Sequence, residues 1–223
     1  MKTGAQAWAR IWFGLTALAV AIGLAINLFV AASNYNSLFP TVQGRIFNQF
    51  CYFTIQSNLI VGVTCLLLAL NLHRASTVFR VFRLTGLVDI AITGVVYHIA
   101  LAHLYELTGH AAVADFLLHT LVPILCVSGW LVFGPRRLTS ARVVLLTTLY
   151  PVAWLIFTLI RGAITGYYPY PFIDAGALGY ALVLRNVALI TLFFLALAFG
   201  AMGIDRWLTL RKPRDVLRRP AVP

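Results

Sequence analysis

The amino-acid sequence predicts an all-α polytopic membrane protein with six transmembrane helices and both termini in the cytoplasm. Hydrophobic residues make up 61% of its 223 residues and charged residues only 10%, whereas soluble domains average about 25% charged. The apolar residues form six runs, each long enough to cross ~30 Å of hydrocarbon as a helix. The runs lack the alternation of barrel strands, and open sheet edges cannot lie in lipid, so we expect a helical bundle.

The six predicted spans are separated by short polar segments. They cover Ile11–Ala32, Phe50–Asn71, Leu84–Tyr105, Asp115–Phe133, Val143–Ile160 and Ala181–Ile204. The first run is longer than the ~7–15-residue apolar core of a signal peptide, so we expect it to remain as a helix. Residues 1–205 then form one transmembrane domain, and residues 206–223 form a basic cytoplasmic tail.

The positive charges predict the orientation. All but three of the 17 Lys and Arg residues lie before the first span, after the second, after the fourth or in the tail. Arg45, Arg161 and Arg185 fall on the other side. Because cytoplasmic segments carry the excess of Lys and Arg, both termini are expected in the cytoplasm. No basic face is interleaved with aromatics, so the net charge of +11 indicates topology and attraction to anionic lipid, and no nucleic-acid partner is expected.

The two predicted external segments differ in composition. The segment Ser33–Gln49 is polar and reads as a loop. The segment Arg161–Gly179 mixes glycine and proline with the aromatics Tyr167, Tyr168 and Tyr170. Such a mixture forbids a continuous helix, and it fits either a re-entrant or capping loop or a belt of interfacial aromatics.

Several reactive or charged side chains fall inside the spans. Cys51, Cys65 and Cys126 are odd in number and lack metal-ligand spacing, so we expect them to pack without forming a disulfide. Asp89 of the third span has no obvious partner in the sequence. An arginine such as Arg83 is one candidate for an ion pair, and a role in packing specificity is the other interpretation.

The head of the second span is unusually polar for an apolar run. On a helix, Cys51, Thr54, Asn58, Gly62 and Cys65 lie three or four residues apart and form one stripe. A polar stripe in a lipid-embedded helix is expected to face the interior of the bundle.

Other polar residues lie at a similar depth on neighbouring spans. His98 is near the outer end of the third span, and Asp115 and His119 are near the outer end of the fourth. Counting 1.5 Å per residue places Thr54, His98 and His119 roughly 6–11 Å below the external surface, where one cavity could hold them. Ionisable groups at this depth are costly and point to a functional site.

Each of these residues also has a plainer explanation. The Thr54 hydroxyl can bond the carbonyl of Phe50, four residues earlier. His98 can bond a neighbouring helix. Asp115 can cap the fourth helix, or it can orient His119 from a spacing of four residues.

The chain contains three short runs with a distinctive order of residues, Tyr52–Asn58, Leu118–Pro123 and Tyr168–Phe172. They resemble runs of bacterial Pr6Pr membrane proteins and, more distantly, of the eukaryotic androgen-induced protein and androgen-dependent TFPI-regulating protein family. The resemblance covers the six-span body and implies an intramembrane threonine hydrolase of fatty acid esters of hydroxy fatty acids. Carried over by position, it implies that Thr54 is the nucleophile and His119 the catalytic histidine.

The chemistry of such a site can be assigned to individual residues. Thr54 needs a base within about 3 Å, and His119 is the best-placed candidate, with Asp115 holding its tautomer. The acyl oxyanion needs a hydrogen-bond donor. The candidates are a backbone amide and the side chains of Asn58, Gln56 and Ser57. An acyl ester entering from the outer leaflet of a bacterial plasma membrane is the expected substrate, with membrane lipids as partners and no cofactor or metal.

Three other functions remain open at this point. A haem-binding cytochrome could use His98 and His119 as axial ligands, and a visible absorption band would reveal it. A zinc hydrolase could use the same histidines with Asp115, although no compact ligand motif is present. A small-molecule transporter would also gather polar groups between helices, but it more typically shows repeated halves.

The orientation gives a first testable prediction. The loops that contain Arg80 and Arg137 should be cytoplasmic, and Asn36 and Tyr170 should be external, because positive charge is retained inside. In intact cells, a membrane-impermeant maleimide should therefore label Asn36→Cys and not Arg137→Cys. The reverse labelling pattern would show that the bundle has the opposite orientation in the membrane.

Overall fold

The computed structural model describes residues 2–35, 37–104 and 106–211, and the secondary structure in these ranges is helical, without a strand. Six of its helices are long and apolar enough to cross a membrane, which confirms the predicted all-α membrane fold. These six spans are Gly4–Ala32, Phe53–Leu70, Thr77–Leu101, Gly109–Phe133, Ala141–Thr165 and Tyr180–Leu210. The last helix continues to Arg211, so only the start of the predicted tail is described. Asn36 and the tail beyond 211 lie outside the described residues.

Shorter elements interrupt or join the spans. The third span ends in a π-helix, Tyr97–Leu101, and the fourth contains another, Leu117–Leu121. The fifth is divided into Ala141–Thr147 and Leu149–Thr165. A 3₁₀ turn, Pro171–Ile173, and a short helix, Ala175–Leu178, lie between the fifth and sixth spans. We call the end of the bundle that carries residues 166–179 the loop side.

The segment predicted as a polar loop before the second span contains a helix, Val42–Phe50. Thr41 caps it by accepting a hydrogen bond from the Gly44 amide at 3.0 Å. The second span begins at Phe53 rather than Phe50, because the chain turns at Cys51 and Tyr52. A search for long apolar runs cannot find such a helix, since its residues are largely polar.

The first four spans form the centre of the bundle. Half of the residues in the second and third spans are buried, against 22% in the fifth and 17% in the sixth. Glycines allow close approach: Gly62 packs on Val20 of the first span, and Gly86 packs on Val61 of the second. Small residues at such contacts are typical of membrane helices.

The suggested pairing of Asp89 with Arg83 is not formed. Residues six positions apart point to different sides of a helix. The Arg83 guanidinium instead lies 3.5 Å from the sulfur of Cys65 and 3.7 Å from that of Cys126. Asp89 is fully buried, and neither carboxyl oxygen has a hydrogen-bond partner among the described residues. The three cysteines are buried and free, as expected for packing residues.

The packing of the first span against the fourth gives a second prediction. A Cβ atom on Gly129 would lie 2.6 Å from the indole nitrogen of Trp12, which donates to the Leu125 carbonyl. Gly129→Ala should therefore destabilise the bundle by about 1–3 kcal/mol, because a tightly packed contact must open. Gly200→Ala is the matched control, since nothing lies within 4 Å of that position. It should be neutral or stabilising by up to ~1 kcal/mol through helix propensity. Thermal unfolding in detergent that shows equal stability changes for both variants would contradict the packing account.

Candidate functional site

The loop between the fifth and sixth spans turns into the bundle at Tyr170. Its side chain is only 8% exposed, and its ring stacks on Phe172 and lies edge-on to Tyr52. Tyr168 packs directly on Gly162, where an added Cβ would lie 2.0 Å from the tyrosine ring. Asn186 donates to the Phe172 carbonyl at 2.9 Å. These contacts are those of a capping loop, the first of the two interpretations offered above.

A cavity of about 140 Å³ lies below this loop, between the second, third, fifth and sixth spans. Its wall is largely apolar, and no acidic or basic side chain of the described chain lines it. Val152 and Thr191 line the cavity and are also exposed on the faces of the fifth and sixth spans. The cavity therefore reaches the part of the surface that hydrocarbon would cover. Its hydroxyl groups belong to Thr54, Thr93, Tyr97, Thr148, Tyr170 and Thr191.

The Thr54 hydroxyl is not bonded to its own helix. Its oxygen lies 3.3 Å from the Tyr170 hydroxyl, which also accepts the Thr54 amide at 3.2 Å. The Phe50 carbonyl, proposed above as the plain partner of Thr54, accepts from the Gln56 amide group at 2.7 Å. Thr54 differs here from other hydroxyl residues of the first two spans, which bond the carbonyl four residues earlier. Those residues are Thr16, Ser57 and Thr64.

The three side chains proposed as oxyanion donors have other partners. Asn58 donates to the Thr54 carbonyl at 2.9 Å and to the Leu118 carbonyl at 3.2 Å, which occupies both of its N–H bonds. The Ser57 hydroxyl donates to the carbonyl of Phe53. Gln56 reaches back to Phe50 and accepts from Tyr150. None of the three lines the cavity. Asn58 does fix the second span against the turn that precedes His119.

His119 belongs to a second group of side chains. Its Nδ1 lies 2.9 Å from a carboxyl oxygen of Asp115, at ion-pair distance although not in hydrogen-bond alignment. Tyr97 donates to the other oxygen of Asp115 at 2.6 Å, and its ring stacks on the imidazole with centroids 4.0 Å apart. The fourth span begins at Gly109, so Asp115 is not its cap and is placed instead to orient His119. Within the described residues, Nε2 of His119 has no hydrogen-bond partner.

His98 makes the contacts of a structural histidine. One ring nitrogen lies 2.8 Å from the Gly94 carbonyl and the other 3.2 Å from the Thr120 hydroxyl of the fourth span. Its side chain is exposed and does not line the cavity. To ligate a haem iron it would have to give up one of these bonds. No three histidine, cysteine or acidic side chains of the described residues are grouped to hold a metal, so the zinc set is not assembled.

Both histidines lie in π-helical turns, which are rare and occur frequently at functional sites. The two turns face each other through the contacts of Tyr97 with Asp115 and of His98 with Thr120. A π-turn shifts the side chains that follow it around the helix axis, and hydropathy does not reveal it.

Glycine contacts fix the relative depths of the two groups. Gly86 faces Val61, so Thr54 and Thr93, each about seven residues toward the loop side, lie at about the same depth. Gly94 packs on Pro123 and the His119 carbonyl. Asn58 donates to the carbonyls of both Thr54 and Leu118, so Thr54 and the residue that precedes His119 lie at similar depth.

The expected shared cavity holds Thr54 but not His98, Asp115 or His119, because the Tyr97 ring occupies the wall on that side. Tyr97 thus connects the cavity that holds Thr54 with the group that contains Asp115 and His119, and the sequence analysis did not identify it. Its position next to His98 was the available signal. Tyr170 lies in one of the family-like runs, but there it counted only as an aromatic residue.

In comparisons with known proteins, no protein family, curated protein or solved structure matches the chain.

Proposed function

We propose that this integral membrane protein is an intramembrane ester hydrolase with Thr54 as nucleophile and His119 as general base. One observation carries the proposal. The Thr54 hydroxyl is turned away from its own helix and toward an apolar cavity that reaches the lipid-facing surface. Thr54 also lies in the first turn of the second span, where the helix dipole stabilises developing negative charge.

In the proposed reaction, His119 accepts each proton that is released and later returns it. The Thr54 oxygen bonds to the acyl carbon, and its proton passes to Nε2 of His119. The bond from the acyl carbon to the alkoxy oxygen then breaks, and His119 protonates the leaving alkoxide. Water, deprotonated by the same histidine, then attacks the acyl carbon. The bond from that carbon to the Thr54 oxygen breaks, the histidine returns the proton to this oxygen, and the acid is released. Because His119 does not line the cavity beside Thr54, the proton transfer requires one bridging water or a side-chain shift, and catalytic hydrogen bonds often form fully only with substrate bound.

The lining of the cavity supports a lipid substrate. With no charged side chain among the described lining residues, the site suits an ester whose reacting part is neutral and whose chains already lie in hydrocarbon. The exposed faces of Val152 and Thr191 give such a molecule a lateral route. Acyl esters of the outer leaflet of a bacterial plasma membrane, including fatty acid esters of hydroxy fatty acids, are the proposed substrates.

Loss of either member of the pair should abolish turnover. Thr54→Ala and His119→Ala should each lower hydrolysis of p-nitrophenyl octanoate in detergent micelles by about 10²–10⁴-fold. The double variant should lose no more than either single variant, because the two residues act as a unit. Labelling by a fluorophosphonate probe should disappear in Thr54→Ala.

Two controls sharpen this comparison. Thr64→Ala removes a buried hydroxyl that bonds its own helix, and His98→Ala removes a histidine with structural contacts, so both should stay active. Near-normal turnover in Thr54→Ala, together with loss in both His98→Ala and His119→Ala, would replace this proposal by a metal-centred or haem-centred site.

The carboxyl of Asp115 should have a smaller effect. If it orients His119, Asp115→Asn should leave the fold intact and reduce hydrolysis by a modest factor, less than the loss of His119. The measurement is kcat beside the thermal stability of the same preparation. Unchanged turnover would leave Asp115 with only a structural role between Tyr97 and the fourth span.

A further inference from the structure

The proposed hydrolysis needs a donor for the oxyanion, and the side chains of the second span that were candidates are occupied or lie elsewhere. Asn58 donates both of its N–H bonds to backbone carbonyls, and the Ser57 hydroxyl also donates to a backbone carbonyl. The Thr54 amide donates to Tyr170. Gln56 does not line the cavity. A side-chain donor must therefore come from another element than the second span.

The Tyr170 hydroxyl is in the required place. It contacts the nucleophile oxygen at 3.3 Å. The oxyanion forms two bonds away from that oxygen, so a donor in contact with Thr54 is within reach of it. Because the Tyr170 hydroxyl accepts the Thr54 amide, its own proton is directed away from that amide and toward another oxygen. Burial raises the pKa of Tyr170, although its hydrogen bonds with Thr54 oppose the shift. The phenol thus keeps its proton at neutral pH.

A second hydroxyl residue lies in the wall of the same space, on the third span. Thr93 lines the cavity at about the depth of Thr54, and its side chain is 6% exposed. Its hydroxyl oxygen is covered by neighbouring atoms and has no hydrogen-bond partner among the described residues. A buried polar group without a partner is unusual and costly. A rotation of the Thr93 side chain toward the cavity would give this hydroxyl an oxygen of the bound ester as its partner.

We propose that the hydroxyls of Tyr170 and Thr93 together bind the oxyanion formed at Thr54, which makes both of them catalytic residues. This inference rests on the proposed role of Thr54 as nucleophile. It assigns half of the oxyanion site to the capping loop. That loop is held by Tyr168 against Gly162 and by Asn186 on the Phe172 carbonyl. The site is therefore complete only when the loop is seated.

Hydroxyl deletions test the inference with little change in shape. Tyr170→Phe should lower kcat for p-nitrophenyl octanoate by about 10²–10³-fold, the usual loss for one oxyanion donor. KM should stay within about twofold, because the donor acts mainly on the charged transition state. Thr93→Val is nearly isosteric and should also lower kcat. Labelling by the fluorophosphonate should slow in parallel, since attack on phosphorus also places negative charge on an oxygen.

Tyr52→Phe is the matched control. It removes a hydroxyl from the same aromatic cluster, where Tyr52 bonds Tyr167 and not Thr54. It should leave kcat unchanged. A lower unfolding temperature and a higher KM with unchanged kcat in Tyr170→Phe would mark a packing role and overturn the inference. Full turnover in both Tyr170→Phe and Thr93→Val, with labelling still lost in Thr54→Ala, would reject these donors and keep the nucleophile. Retained activity in Thr54→Ala would reject both proposals.

Discussion

The chain turns at Cys51 and Tyr52, between two helices. Because the interior of a membrane offers no water, side chains have to bond the backbone N–H and C=O groups that this turn leaves without helical partners. Thr54 lies in the first turn after the break, where amide groups lack intrahelical partners. The Tyr170 hydroxyl accepts its N–H at 3.2 Å, and the indole of Trp154 donates to the Cys51 carbonyl at 3.0 Å. The capping loop and the fifth span therefore complete the backbone hydrogen bonding of the second span. The same contacts hold the fold and keep Thr54 buried at the wall of the cavity.

The sequence predicted the features that depend on amino-acid composition and on the helical spacing of polar residues. Runs of apolar residues predicted all six spans, and the stripe through Thr54, Asn58 and Cys65 is buried as expected. The helix Val42–Phe50 was not predicted, because it is short and contains many polar residues. The fourth span begins at Gly109, six residues before its predicted start at Asp115. That extra length turns a supposed cap into a partner of His119.

Side-chain partnerships were beyond the sequence because they depend on the register between helices. That register is set by contacts such as Gly86 with Val61 and Gly94 with Pro123. Only its position next to His98 distinguishes Tyr97, which stacks on His119 and lines the cavity, from an ordinary aromatic residue of a membrane interface. The hydropathy of the sequence also does not reveal the π-turns that contain His98 and His119. Only the structure shows that the ring of His98 is held by Gly94 and Thr120, whereas the ring of His119 lies against Asp115 and Tyr97.

The division of the cavity wall between helices has a consequence for how selectivity can evolve. In the proposed mechanism the reacting hydroxyls come from the second and third spans and from the capping loop, whereas Val152 and Thr191 on the fifth and sixth spans line the exposed edge of the cavity. Those two positions hold none of the hydrogen bonds around Thr54. Substitutions there would change the width of this entrance and leave those hydrogen bonds intact. The proposed selection of a lipid and the proposed cleavage of its ester thus depend on separate, independently variable parts of the chain.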